Sequence, residues 1–341
     1  MKRMIEETQP RISKSRPSRE AETDSSSQLK VQISIKIILV PIDFSRAAMQ
    51  ALDYATELAR LFKAQVHLMH VQMPDEIVAV PGAGHLMREC AESVTFLREK
   101  LGAIQQERPP QFWPENCHIR TGCAHREICE LARELNADLI VLASRGNSGL
   151  KRMFLGSTAE RVVRSAPCPV LVVRQRKRRG GYLLGLLTTK KTFSVRKILA
   201  PVDFSPCSMA GAIYGAFLAR KFDAKLCLFH VLPVPTPAVL NRIPTDFSKG
   251  DDLDLASARR DLEGFAELDF FRDVKCAKEI RTGNPVEQIC TETRRPEVEL
   301  AVISTHGRTG FDRMLLGSVA EQVVRYAECP VLVVPSRCSI P

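Results

Sequence analysis

The 341-residue chain lacks any apolar run of about 18 residues, so no membrane-spanning helix is expected. Its opening, MKRMIEETQP, carries basic side chains with no apolar segment behind them, and no secretory leader is expected. The eleven cysteines are odd in number and none stands in a CxxC pair, which argues against a disulfide framework. Cys168, Cys227 and Cys329 lie in apolar runs, where a thiol acts as a small hydrophobe; a reducing cytoplasmic setting is the reading. No Cys/His pairs stand at zinc-ligand spacing, and the adjacent Cys117 and His118 would alternate across a strand, so no metal centre is expected. There is no Ser/His/Asp or Cys/His constellation and no lysine behind a GxxxxGK loop, and a fast-turnover enzyme is not expected. Acid is missing between Arg174 and Lys197, where nine Lys and Arg residues collect. The net charge of +10 therefore falls to about +1 outside that stretch, and the globular parts are close to neutral. The basic stretch reads as a solvated linker. Binding of nucleic acid is its sharper alternative, but Tyr182 is the lone aromatic there and base stacking finds no support, so no nucleic-acid partner is expected.

What the chain does have, it has twice. Ser304 to Val324, STHGRTGFDRMLLGSVAEQVV, follows an apolar run and leads through Gly307, Gly310 and Gly317 into a helical pattern. Ala143 to Val163, ASRGNSGLKRMFLGSTAERVV, is the same text 161 residues earlier. IKIILVPIDFS (Ile35 to Ser45) returns as RKILAPVDFS (Arg196 to Ser205), RTG recurs at Arg120 and Arg281, and CPVLVV recurs at Cys168 and Cys329. The offset moves by one residue across the whole unit, which is a duplication at domain scale. We read residues 1–32 as a disordered polar tail, 33–175 as the first domain, 176–194 as the basic linker and 195–336 as the second domain.

Each unit alternates strand and helix signals. In the first, strands are expected near 35–41, 64–71, 117–121, 137–144 and 168–173, with helices after Ser45, over about 86–104, after Gly122 and over 157–165. Continuous apolar strands suit a parallel sheet buried on both faces, with right-handed crossovers. Ser45 and Ser205 are candidate N-caps, the latter followed by Pro206 at N1. In such sheets ligands bind beyond the C-terminal strand ends, where the strand order reverses. Two loops carry chemistry for that crevice: the strand-1 exit, with Asp43 or Asp203, and the strand-4 glycine loop. If strands 1 and 4 are neighbours, a carboxylate able to accept from ribose or an exocyclic amine faces a backbone nest suited to phosphate.

With these residues the chain resembles a tandem universal stress protein. The carriers are the PxDFS first strand, HV closing strand 2, nine residues between the loop glycine and Gly-Ser, and the CPVLVV last strand. The resemblance covers about Ile35 to Arg174 and Lys197 to Pro335. It implies two open, doubly wound, five-stranded parallel sheets of Rossmann-like α/β type, strand order 3-2-1-4-5. It also implies, in one branch of the family, ATP in the crevice, with AMP or another adenine nucleotide as variants and Mg2+ accompanying the nucleotide. By this resemblance Pro41, Ile42, Asp43 and Val71 line the adenosine side of the first site, and Gly146, Gly156, Ser157, Thr158 and Ala159 hold phosphates. In the second site the matching residues are Pro201, Val202, Asp203 and Val231, then Gly307, Gly317, Ser318, Val319 and Ala320. The chain departs at the first glycine of the ATP-binding branch, where Ala143 and Ser304 stand and a Cβ narrows the approach of a phosphate.

Plainer readings stand beside these. Asp43 and Asp203 could turn the strand exit, and Gly146 and Gly307 could be simple turn residues. Gly156 and Gly317 could serve helix packing. His70 and His230, ending an apolar strand, read as satisfied structural histidines rather than bases. Arg145 and His306 occupy matching loop positions and either reach a phosphate or stay solvated; so do Lys151, Arg152 and Arg313. An apolar edge strand invites pairing, so Val170 to Val173 and Val331 to Val334 are expected to pair within one chain or between copies as a homodimer. The functional expectation is a cytosolic stress-response protein that binds adenine nucleotide and signals or protects, with at most slow ATP hydrolysis. A dimerising scaffold without nucleotide is the rival, and a nucleotide-dependent transferase or hydrolase on the same fold ranks last.

Overall fold

A computed structural model of the chain describes residues 33–72, 95–96, 99–100, 102–104, 117–145, 155–174, 195–234, 250–306 and 316–336. The tail 1–32, the linker 176–194, most of the helix expected at 86–104, and Gly146, Lys151, Arg152, Gly307, Gly310 and Arg313 lie outside the described residues.

The first half runs β1 (Ile37–Pro41), α1 (Arg46–Phe62), β2 (Gln65–Gln72), β3 (Cys117–Thr121), α2 (Ala124–Glu134), β4 (Leu139–Ala143), α3 (Ser157–Ser165) and β5 (Val170–Val173). The second runs β6 (Lys197–Pro201), α4 (Pro206–Phe222), β7 (Lys225–Leu232), α5 (Gly250–Ala266), β8 (Cys276–Thr282), α6 (Pro285–Thr293), β9 (Val298–Ser304), α7 (Ser318–Tyr326) and β10 (Val331–Val334). Within each half all pairings are parallel, in the order 3-2-1-4-5 that the resemblance implies.

The two five-stranded sheets are not separate. β5 and β10 lie antiparallel, with Val172 opposite Val331, Leu171 opposite Leu332 and Val170 opposite Val333, and ten strands form one sheet. All eight residues of these two strands are buried. On one face a single core spans the seam, from Met69 and Ile140 in the first half to Ala301 and Phe229 in the second, under α2, α3, α6 and α7. On the other face α1 and α4 meet, with the Phe62 and Phe217 rings stacked at 5.6 Å. An apolar slot there is lined by residues in matched positions, Tyr54 with Tyr214, Leu58 with Leu218 and Leu171 with Leu332. Polar groups also cross the seam. Glu160 and Arg164 of α3 form a ring of four charges with Glu321 and Arg325 of α7, at 3.0–3.5 Å. Arg174 donates to the carbonyls of Val324 and Arg325, at the end of α7 where a helix leaves acceptors unused. Burial moves the Arg174 guanidinium down to about 10, helped by the neighbouring Arg145.

At one matched position inside the core the halves have diverged. On β2 and β3 of the first half, His67 Nδ1 and His118 Nε2 lie 3.1 Å apart with the rings stacked. A pair of imidazoles can share that contact only while one nitrogen keeps a lone pair. In the second half the corresponding residues are Cys227 and Glu279, and a half-buried network around the buried Glu292 replaces the pair. Lys197 bridges Glu279 at 3.3 Å and Glu292 at 3.1 Å, and Arg295 meets Glu292 at 3.0 Å. Burial alone would lower the Lys197 pKa, but the two carboxylates outweigh it and hold the pKa up. Burial, with Glu279 beside it, pushes the Cys227 thiol up to about 12.

Two tests follow from the fold. Leu332→Ala removes a buried side chain from the seam and is expected to cost about 2–5 kcal/mol in urea unfolding; an unchanged midpoint would show that the seam carries no stability. Both His67 and His118 have pKa values lowered first by burial, then by the His118 and Arg120 charges respectively. Protons therefore bind the unfolded chain better than the folded one. The first half should be fully stable above the unfolded value of about 6.5 and lose stability as pH falls below it toward the lowered folded values. Protection factors at β2 and β3, with the intrinsic exchange rate divided out, should fall as pH is lowered from about 7.5 to about 5.5, with β7 and β8 as the internal control; equal behaviour in both halves would refute this.

Candidate functional site

The site starts where β1 ends. Pro41 closes the strand and Ile42, 3% exposed, has both backbone groups engaged. Its N–H donates to Met69 O at 2.7 Å, and its carbonyl meets His70 Nδ1 at 2.7 Å. The second half repeats this: Val202 N–H donates to Phe229 O at 2.9 Å, and His230 Nδ1 lies 2.7 Å from Val202 O. Both histidines are thus satisfied, as the plainer sequence reading holds. The chain then turns at Phe44 and Phe204, which adopt positive φ of 59° and 64° although neither is glycine. That conformation costs roughly 1–3 kcal/mol and persists only where surroundings enforce it.

The turn brings each aspartate back onto its own chain. Asp43 Oδ1 accepts from Ser45 N–H at 3.0 Å; Asp203 Oδ1 accepts from Ser205 N–H at 3.1 Å and from the Ser205 hydroxyl at 2.6 Å. Ser45 and Ser205 cap α1 and α4, accepting from Ala48 N–H and Ser208 N–H at 3.1 Å each. One oxygen of each carboxylate therefore serves the turn.

β4 lies directly beside β1, and β9 beside β6, in parallel register, so the strand-1 and strand-4 exits share one end of the sheet in each half. Beyond β4, Ser144 O accepts from Gly156 N–H at 2.8 Å; beyond β9, Thr305 O accepts from Gly317 N–H at 2.7 Å. These bonds bring the starts of α3 and α7 back to the strand ends. A Cβ on Gly156 would stand 3.4 Å from Ser144 O, at ordinary contact, so the return itself does not require glycine. Gly156 and Gly317 are the N-cap residues of α3 and α7. A glycine cannot cap with a side chain, unlike Ser45 and Ser205 on α1 and α4. The first-turn N–H groups at Ser157, Thr158 and Ala159, and at Ser318, Val319 and Ala320, therefore begin their helices with no acceptor supplied by the N-cap. Pro41, Ile42, Asp43, Gly156, Ser157, Thr158 and Ala159 thus stand at the C-terminal ends of the adjacent strands β1 and β4, with Val71 one strand over on β2. Pro201, Val202, Asp203, Gly317, Ser318, Val319 and Ala320, with Val231 on β7, stand in the same way at the ends of β6 and β9. Gly146 and Gly307 lie outside the described residues.

Ser304 is 5% exposed and its hydroxyl donates to His306 O at 2.8 Å, so the residue standing for a family glycine is turned onto its own loop. Behind it, α4 comes so close that a Cβ on Gly211 would lie 3.2 Å from Ser304 N. Thr305 Oγ1 accepts from Ser336 N–H at 3.0 Å and meets His306 Nδ1 at 2.9 Å. Giving the hydroxyl hydrogen to Nδ1 puts the ring proton on Nε2, which is buried and has no hydrogen-bond partner among the described residues. The buried His306 Nε2 has no signature in the letters; for the strained phenylalanines and the histidine-to-carbonyl bonds, repetition of the HV and DF pairs is the signal that could have flagged them. Among the described residues, no three His, Cys, Asp or Glu side chains gather to hold a metal, and no helix is long and apolar enough to cross a membrane.

Two parallel α/β units, each with an aspartate turn at the strand-1 exit and a glycine-capped helix after strand 4, define the class, and the family pattern agrees. The universal stress protein family matches residues 34–174 and again 194–335, and the chain belongs to that family. A universal stress protein of Mycolicibacterium smegmatis is 26% identical over 310 residues, covering 88% of this chain and 97% of that one. The solved universal stress protein of Archaeoglobus fulgidus DSM 4304 covers 89% of this chain and 98% of its own, at 20% identity and TM-score 0.58, a likeness of fold. A shorter universal stress protein solved in complex with cAMP covers 41% of this chain and 98% of its own, at 20% identity and TM-score 0.27.

Ser205→Ala removes the cap of α4 and one contact to Asp203. It should cost about 1 kcal/mol in denaturant unfolding; a loss under about 0.3 kcal/mol would show that the cap is not carrying the helix start.

Proposed function

We propose that each half binds an adenine nucleotide, ATP first, in the crevice between the strand-1 exit and the start of α3 or α7. Through it the protein acts as a nucleotide-responsive signalling or protective module of the cytoplasmic stress response. The observation that carries this is the pairing, in both halves, of an aspartate turn with a glycine-capped helix start at the ends of adjacent parallel strands. The helix start offers N–H donors and the positive end of a dipole to phosphate. The aspartate offers an acceptor to ribose or the exocyclic amine, and the buried Nε2 of His306, which has no hydrogen-bond partner among the described residues, is open to an anion in the tautomer that puts the ring proton there. Mg2+ would arrive with the phosphates. Among the described residues at these strand ends there is no activated nucleophile, which supports binding as the activity, with hydrolysis slow at most.

A second reading, a scaffold without nucleotide, is favoured by one observation: the Ser304 hydroxyl is tied to His306 O, which draws the loop onto itself.

Calorimetric titration of the full chain with ATP, AMP and cyclic AMP separates the two. The expected result is saturable binding, with Asp203→Ala and Gly317→Trp each removing the second half's share and Ser304→Gly strengthening it. No binding of any of the three at millimolar concentration would overturn the proposal in favour of the scaffold.

A further inference from the structure

We infer that His70 and His230, each with the phenylalanine folded over it, are positioning residues for the adenosine side of the crevice. The inference rests on the nucleotide reading above. Each histidine immediately precedes the strand-2 valine of the site, Val71 or Val231, and bonds through Nδ1 to the carbonyl immediately preceding the site aspartate. A carbonyl only accepts, so Nδ1 carries the hydrogen. The same two residues are held at their other backbone group by the Ile42 and Val202 N–H bonds to β2 and β7. The strand-1 exit and the strand-2 end, which would line opposite sides of an adenosine, are thereby locked into one piece. The rings of Phe44 and Phe204 lie 4.9 and 4.5 Å from the imidazoles, and this contact backs the positive φ that swings each aspartate into its turn.

A stability role alone does not explain why both halves keep this clasp. Elsewhere on β2 and β7 the halves solve the same packing problem with different chemistry, His67 with His118 against Cys227 with Glu279. At the strand-1 exit they use the same residue types, the same 2.7 Å bond and the same strained turn. What is common to both is the shape of the exit, and that shape is what an adenosine would meet.

The test uses the full chain with His230→Leu, which removes the donor, and His230→Asn, whose Nδ2 can replace Nδ1 as donor. Binding of adenosine and, separately, of inorganic triphosphate is measured on each. His230→Leu should weaken adenosine at the second site by about fivefold to tenfold, the loss of one hydrogen bond. It should leave triphosphate unchanged, and His230→Asn should recover most of the loss. Adenosine binding unchanged by Leu, triphosphate weakened to the same degree, or no recovery with Asn would each overturn the inference while leaving nucleotide binding standing. A wild-type chain that binds neither adenosine nor triphosphate would bring down both. If His230→Leu does not fold, the side-chain nitrogen spectrum of the wild type decides: an Nδ1–H tautomer at His230 is expected, and an Nε2–H tautomer would refute the clasp.

Discussion

The antiparallel contact between β5 and β10 is the constraint on which the rest of the molecule depends. A parallel five-stranded sheet ends in an apolar strand with unpaired backbone groups, and such an edge must be covered or paired. Here each half covers the other, and the apolar residues that would have faced solvent become the centre of a ten-stranded sheet. The joint is not only backbone. Phe62 on Phe217 closes it on one face, the Glu160, Arg164, Glu321 and Arg325 ring closes it on the other, and Arg174 reaches across to the end of α7. Because the strands of one half point against those of the other, the two crevices open at opposite edges of the sheet.

Within each crevice the backbone is tightly specified before any ligand is considered. The peptide after Pro41 or Pro201 has its N–H and C=O both committed, and the next residue but one sits in a left-handed conformation that its packing maintains. The aspartate between them has two duties: it turns the chain into a capped helix, and its carboxylate stands at the strand end. The turn accounts for Asp43 and Asp203 as they stand, with Oδ1 of each accepting from the serine that caps the next helix. The helix that starts on the other side of the crevice is built the opposite way, with glycine where α1 and α4 have serine.

Much of this was legible in the sequence. Continuous apolar runs placed the core strands, and Ser205-Pro206 placed a helix start to the residue. The duplication divided the chain into two units whose strand order matched the resemblance. What the letters could not carry was anything depending on torsion, protonation or distant pairing. A positive φ at glycine leaves a trace in composition, but one at Phe44 does not. His67 and His118 are 51 residues apart and meet only because β2 and β3 are neighbours. Lys197, Glu279 and Glu292 look like surface charges in a linear reading; they are a half-buried network because three separate elements bring them to one place. The net charge gave no hint of the four-membered ring at the seam, where two acids and two bases cancel.

The reversal of direction at the seam also has an electrical meaning. Helices that cross over parallel strands run against those strands, so the α3 and α7 dipoles, like the two halves as wholes, oppose one another. The partial charges at the two helix starts therefore lie at opposite ends of the ten-stranded sheet rather than adding at one.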